Sequence, residues 1–423
     1  MLSNVLRLRS LLLLVLLSLI AVQAAKQKTY KQKSWYNQSN ALTNEVNRDR
    51  DPEEYMTVCE IIRYHGYPAE QYDVTTEDGY ILTIQRVPHG RNGPSTTPRK
   101  PVIIQHGFLG SSAIWVINTP DKNLAYILAE AGYDVWLSNI RGNSFGRRHV
   151  RLSPNSSEFW QFSFDEMAKY DMPAIIDFIL NKTGFNQTHY IGHSMGTTIP
   201  FAMLSTRKEY NSKIRTVVAL APVTNVTHIR SPIRYLQPFL KDTAFLMELL
   251  GKDELLPNDR LLRILSDTVC TWPTKEMCAD LLFIICGFDR AELNETRLPV
   301  YTHHTPAGTS ALNALHYIQL IEAKVFQQYD YGKAGNMKKY GQPSPPLYNV
   351  SSITTPVALF WSENDYLADP ADVDLLVPNL RNLILKYRVP LDAFSHIDFM
   401  WAVDVKKLLY NKVLQVLGKM WKD

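Results

Sequence analysis

The spacing of hydrophobic and polar residues changes period several times along this chain, and each change predicts a different element. The first clear pattern is alternation: Tyr72-Asp73-Val74-Thr75, then Thr76-Glu77-Asp78-Gly79, then Tyr80 through Val87. Two such runs joined through Asp-Gly predict an antiparallel hairpin. Pro101-Val102-Ile103-Ile104-Gln105, Tyr133 to Leu137, Thr188 to Ile191, Thr216 to Ala221, Pro356 to Trp361 and Leu383 to Tyr387 are instead near-continuous apolar runs. Parallel strands covered on both faces read this way. Between them lie helical stretches: Asn123 to Ala131, and a longer one opened by the capping-box spacing of Ser163-Phe164-Asp165-Glu166. The longer stretch carries Met167, Met172, Ile175, Ile176 and Ile179 through to Leu180. Strand and helix alternate, which predicts an α/β fold with a mainly parallel sheet and right-handed crossovers.

From residue 225 to 352 the rhythm stops. The segment is rich in Leu, Phe and Tyr, as in Tyr235-Leu236-Gln237-Pro238-Phe239-Leu240 and Phe245-Leu246-Met247-Glu248-Leu249-Leu250. It predicts a helical cap and lid inserted between two core segments, 55–224 and 353–423. Residues 25–54 are polar without apolar periodicity and predict a loose extension. At the start, Arg7 and Arg9 precede the apolar run Leu11 to Val22 and the small-residue site Val22-Gln23-Ala24, which predicts a signal peptide over residues 1–24. The run is shorter than the roughly 18 to 20 apolar residues a bilayer span needs, and no later stretch reaches that length, so no stable membrane span is expected.

Composition narrows the classes of function. Hydrophobic residues make up 45% of the 423, ample for a buried core, and 45 basic against 41 acidic residues leave a formal charge of +4. No basic stripe interleaved with aromatics appears, which argues against nucleic acid as a partner. Asn-x-Ser/Thr sequons at Asn37, Asn155, Asn181, Asn186, Asn225, Asn294 and Asn349 agree with a secretory or lysosomal route. Of the cysteines, Cys59, Cys270, Cys278 and Cys286, none has zinc-site spacing. In an oxidising compartment a Cys270–Cys278 bridge closing a short loop is expected, with Cys286 a buried free thiol.

The chemistry centres on Gly192-His193-Ser194-Met195-Gly196. A strand running straight into a helix forces the central serine into a strained conformation, and side chains two residues to either side would clash, hence Gly192 and Gly196. Ser194 would then present its hydroxyl at a helix N-terminus, where backbone N–H groups favour developing negative charge. An acyl-transfer serine needs a base and a carboxylate to orient that base. Asp365, just after a strand in Ser362-Glu363-Asn364-Asp365, is the expected acid, with Asp369, Asp372 and Asp374 competing nearby. His396, in the loop after the last strand, is the expected base. The order Ser194, Asp365, His396 is that of the α/β-hydrolases. The oxyanion hole is expected from the backbone N–H groups of Met195 and Phe108, with His106 and Gly107 shaping the loop. His193 and the pair His303-His304 read as structural, and neither a cofactor nor a metal is expected.

These motifs carry a resemblance. His106-Gly107-Phe108-Leu109-Gly110, Asn139-x-Arg141-Gly142-Asn143, Ser163-Phe164-Asp165-Glu166-Met167, the elbow through Thr197, Asn364-Asp365-x-Leu367-Ala368-Asp369-Pro370 and His396-x-Asp398-Phe399 together resemble the acid lipase family of α/β-hydrolases. The likeness runs from about Tyr55 to Leu417 and includes Pro306-Ala307-Gly308-Thr309 in the cap. It implies an α/β-hydrolase fold and hydrolysis of carboxylic esters of neutral lipids, triacylglycerols or sterol esters, met at a lipid–water interface beneath a lid. Met195 stands where mammalian members have glutamine, Ser362-Glu363 where a glycine is frequent, and Cys59 has no counterpart there. The same triad would serve a soluble-ester esterase or an acyltransferase, and the fold could carry lipid without catalysis; the apolar cap and the intact triad favour a lipase.

Overall fold

In the computed structural model, which describes residues 50–241, 246–248, 250–257 and 275–421, the alternating and continuous apolar runs assemble into one sheet. Its strands are β1 (Glu70–Thr75), β2 (Tyr80–Val87), β3 (Pro101–Gln105), β4 (Asp134–Ser138), β5 (Arg148–His149), β6 (Thr188–His193) and β7 (Ile214–Leu220). After a separate two-stranded ribbon, β8 (Glu254–Leu255) with β9 (Thr309–Ser310), come β10 (Val357–Trp361) and β11 (Leu383–Arg388). The order is β1-β2-β4-β3-β6-β7-β10-β11, with β5 beside β2. The hairpin β1–β2 is antiparallel and joins β4 antiparallel; from β4 to β11 every pairing is parallel. Val102, Ile103 and Ile104 of β3, Tyr190 and Ile191 of β6 and Val217 through Leu220 of β7 are wholly buried. Helices on both faces account for their unbroken hydrophobicity.

Parallel pairing has one consequence for function: the carboxyl ends of β3, β6, β7, β10 and β11 all emerge on the same edge. Ligands in open α/β sheets bind outside that edge.

The long helix begins as its capping box requires. Ser163 N–H donates to Glu166 Oε2 at 2.9 Å and Ser163 Oγ accepts from Asp165 N–H at 3.2 Å. It is not uniform, however. Met167–Asp171 winds as a π-helix before Met172–Thr183 resumes the α form. Pro173 has no N–H to return to the preceding turn, and the wider turn lies just ahead of it.

Two expectations are corrected. The extension to residue 54 is not loose at its end: Pro52–Glu54 forms a turn with Glu53 and Glu54 buried. Arg297 holds it there, donating to Asp51 at 2.7 Å and to Glu53 at 2.8 Å. The inserted segment is not purely helical, since it contributes the β8–β9 ribbon. Among the described residues its longer α-helices are Lys275–Cys286, Leu298–His304, Ala311–Ala323 and Gly332–Tyr340. The stretch 1–24, Asn37 and Cys270 lie outside the described residues. Cys278 is disulfide-bonded, while Cys59 and Cys286 are buried free thiols. Asn155, Asn181, Asn186 and Asn349 are exposed, and Asn225 and Asn294 half-buried. Among the described residues no helix is long and apolar enough to cross a membrane.

Candidate active site

Ser194 directly follows β6 and caps the helix Met195–Thr206, with φ +56° and ψ −122°. L-residues rarely hold that conformation, and it persists only where the surroundings dictate it. Here they do. A Cβ on Gly192 would sit 2.0 Å from the carbonyl oxygen of Gly196, and one on Gly196 would sit 2.6 Å from that of Gln105. Ser194 N–H donates to Leu220 O, and its carbonyl accepts from Thr197 N–H at 2.7 Å and Thr197 Oγ1 at 2.6 Å. Thr197 Oγ1 in turn accepts from Val223 N–H. The elbow is therefore welded to β3, β7 and its own helix.

Asp365 follows β10 and His396 lies in the loop after β11. The two side chains meet: His396 Nδ1 is 2.9 Å from Asp365 Oδ1 and 2.8 Å from Oδ2. Asp365 is wholly buried and its Oδ1 also accepts from Leu367 N–H at 2.9 Å and Ala368 N–H at 2.8 Å. So many donors fix the orientation of this carboxylate. With Nδ1 engaged, the imidazole has Nε2 free for a proton transfer. The competing aspartates are occupied elsewhere. Asp369 caps the helix Pro370–Leu376 and pairs with Arg230, Asp372 pairs with His228, and Asp374 pairs with Lys386.

His193 does more than its structural reading allowed. Its Nε2 donates to the backbone carbonyl of His396 at 3.0 Å, with the two rings 4.7 Å apart. Burial, and then the neighbouring His396, hold its imidazole well below the ordinary value, so it stays neutral. It braces the base from behind.

The loop after β3 comes equally close. A Cβ on Gly107 would lie 2.9 Å from Ser194 Cβ, so only glycine lets the loop bearing Phe108 approach the serine. Met195 opens a helix, so its N–H has no partner one turn back. His106 sets the loop: its Nδ1 donates to Gly107 O at 2.8 Å and its Nε2 accepts from Asn143 Nδ2 at 3.1 Å. Burial pushes this imidazole down to about 4, so both roles hold at any less acidic pH. Asn143 also donates to Asn139 Oδ1 at 2.9 Å, and Asn139 Oδ1 accepts from Ser112 N–H. The motif Asn139-x-Arg141-Gly142-Asn143 does not disclose this task in the sequence, because its partners His106 and Ser112 lie about thirty residues away.

Two family models match the chain. The family model for the α/β-hydrolase fold matches residues 100–403, and one for a partial α/β-hydrolase lipase region matches 58–119. Gastric triacylglycerol lipase of Rattus norvegicus is 45% identical over 373 residues, covering 87% of this chain and 93% of its own. The lysosomal acid lipase/cholesteryl ester hydrolase of Homo sapiens is 45% identical over 372 residues, covering 87% and 92%. This chain belongs to the acid lipase family of α/β-hydrolases. It is a lipase, a serine carboxylic ester hydrolase. A solved structure from Sulfolobus solfataricus shares the fold, with a TM-score of 0.54 at 15% identity over 84% of this chain and 95% of that one.

In this acid lipase the segment between β7 and β10 reaches into the site. Ala307 N–H donates to Leu109 O at 2.7 Å, and Asn313 Nδ2 lies 3.2 Å from Met195 Sδ. Tyr317 packs edge-on to Phe108 and donates to Thr198 Oγ1 at 3.1 Å. Above them Leu250, Ala311, Ala314 and Ile318 form an apolar cluster that includes Phe108, Leu236, Leu240, Met247 and Leu255 at its margin. Ser194 is 9% exposed beneath this cover.

Proposed function

We propose that this lipase hydrolyses triacylglycerols or sterol esters at a lipid–water interface through an acyl-enzyme on Ser194. His396 takes the serine proton as Oγ attacks the ester carbonyl, then returns it to the departing alcohol. Water repeats the sequence to release the fatty acid. Asp365 holds the imidazole in the required tautomer, and the N–H groups of Phe108 and Met195 receive the oxyanion. The observation that carries this reading is the His396–Asp365 contact on the sheet edge where Ser194 stands strained. The apolar cap cluster against Phe108 supports a lipid acyl chain as its occupant. The two named relatives support both substrate classes. A cleaved signal peptide over 1–24, glycans on the sequon asparagines and a Cys270–Cys278 bridge complete a product of the secretory route, secreted or lysosomal.

The test is hydrolysis of emulsified trioleate and of cholesteryl oleate from pH 4 to 8 by the protein and its Ser194→Ala variant. The variant should lose at least about 10³-fold in kcat, since the triad acts as a unit, and should not be labelled by an organophosphonate ester. Equal, negligible rates on both substrates by both proteins would overturn the lipid reading and turn attention to short soluble esters.

A further inference from the structure

The acid and the base arrive on separate loops, after β10 and β11, and something must fix the distance between them. The cap segment that follows the helix Lys275–Cys286 touches both. The carbonyl oxygen of Cys286 accepts His396 N–H at 3.2 Å and Tyr366 N–H at 3.3 Å. One acceptor atom thus ties the backbone of the base to the residue after the acid, using the two lone pairs of a carbonyl. Asn364, the residue before the acid, donates through Nδ2 to Phe288 O at 2.9 Å and to Ala393 O at 2.8 Å. Between these contacts sits Gly287, with φ +111°. A Cβ there would lie 2.0 Å from Asn364 O and 3.3 Å from Ser395 Cβ. The close neighbour is backbone, not the end of a flexible side chain.

We propose that residues 286–288 of the cap are a strut that sets Asp365 against His396, and that Gly287 is a positioning residue for ester hydrolysis. The inference rests on the triad reading above. The cap is then more than a cover: one of its segments completes the proton-transfer pair. Only glycine satisfies both the backbone conformation and the approach to Asn364 at this point. Any side chain must push the acid loop away from the base loop.

The experiment compares Gly287→Ala and Asn364→Ser with the parent protein on emulsified triacylglycerol. It records kcat, KM and the rate of organophosphonate labelling at Ser194, with thermal unfolding as the check on folding. Misplacement by about 1 Å costs on the order of 100-fold in rate, so Gly287→Ala should lose about that in kcat and in labelling rate with KM little changed. A merely structural defect would not lower kcat and the labelling rate together while leaving KM in place. Asn364→Ser should show the same signs at smaller size, and it decides the matter if Gly287→Ala fails to fold. Folded variants with unchanged kcat and labelling rate would overturn the strut. A Ser194→Ala protein that stays active would overturn the triad reading instead.

Discussion

At the scale of single residues, the site depends on groups whose charge is fixed by burial. His106 accepts from Asn143 only while its Nε2 is unprotonated, and burial takes the imidazole from the ordinary 6.5 to about 4. Its folded value lies below its unfolded value. The stability it contributes is therefore fully present above pH 6.5 and is lost as pH falls through 4. The size is about 3 kcal/mol, from 1.36 kcal/mol per unit of difference. His106→Gln keeps a donor and an acceptor but does not titrate. Urea denaturation should find the parent losing about that much more stability than the variant between pH 7 and pH 3.5. Equal losses would mean that His106 titrates alike in the folded and unfolded chain, and that the loop bearing Phe108 is held by other means. The competing aspartates teach a related lesson at this scale. Each of Asp369, Asp372 and Asp374 follows β10 as closely as a catalytic acid might, and only the partner each one meets separates them from Asp365.

Elements of the chain are pinned by buried charge as much as by apolar packing. The loop after β4 carries Arg141, which is 1% exposed and lies over the ring of Tyr80 at 3.9 Å. It bonds Asp78 of the β1–β2 turn at 2.7 Å, and Asp171 of the π-helical turn at 2.6 Å. Arg141 N–H also donates to Asp171, at 2.9 Å. One guanidinium thereby joins hairpin, sheet and helix just behind the Asn139–Asn143 relay. Removing one partner of a buried pair leaves the other charged and unsolvated, at a cost of about 3–5 kcal/mol. Arg141→Met should lower the unfolding free energy by that amount in denaturant titration. The double variant Arg141→Met, Asp171→Leu should recover much of the loss. A loss below about 1 kcal/mol in the single variant would show that water reaches Asp171.

For the whole molecule, the relation of cap to core is the decisive feature. Arg297, just before the cap helix Leu298–His304, reaches Glu53, Asp51 and the carbonyl of Ile117 at 2.6 Å. Tyr301 of that helix stacks on Trp401 with centroids 4.5 Å apart and planes 3° from parallel. This side of the cap is built as part of the core. Arg297→Ala should free the turn at Pro52–Glu54 while the sheet stays intact. Hydrogen exchange should rise at least about tenfold over residues 51–65, with little change in β3, β6 and β7. Uniform exchange across the chain would indicate that the whole fold, not one corner, depends on the contact.

The hydrophobic pattern predicted β1–β4, β6, β7, β10 and β11 and the parallel character of the sheet, because period and length leave a side-chain signature, while the two-residue strands β5, β8 and β9 leave none; glycine position and residue type after a strand pointed to the elbow and to Ser194, Asp365 and His396. The lapse of that period from residue 225 to 352 suggested an inserted segment but gave no sign of the β8–β9 ribbon. The strand order, the burial of Glu53, the π-helical turn before Pro173 and the brace from His193 to His396 were not legible. Neither was the double contact of Cys286 O with the acid and base loops. These rest on backbone groups and on partners far apart in the chain, and a carbonyl oxygen is the same atom at every position. Which carbonyl meets which N–H is decided only when the sheet has closed and the cap has settled onto its edge.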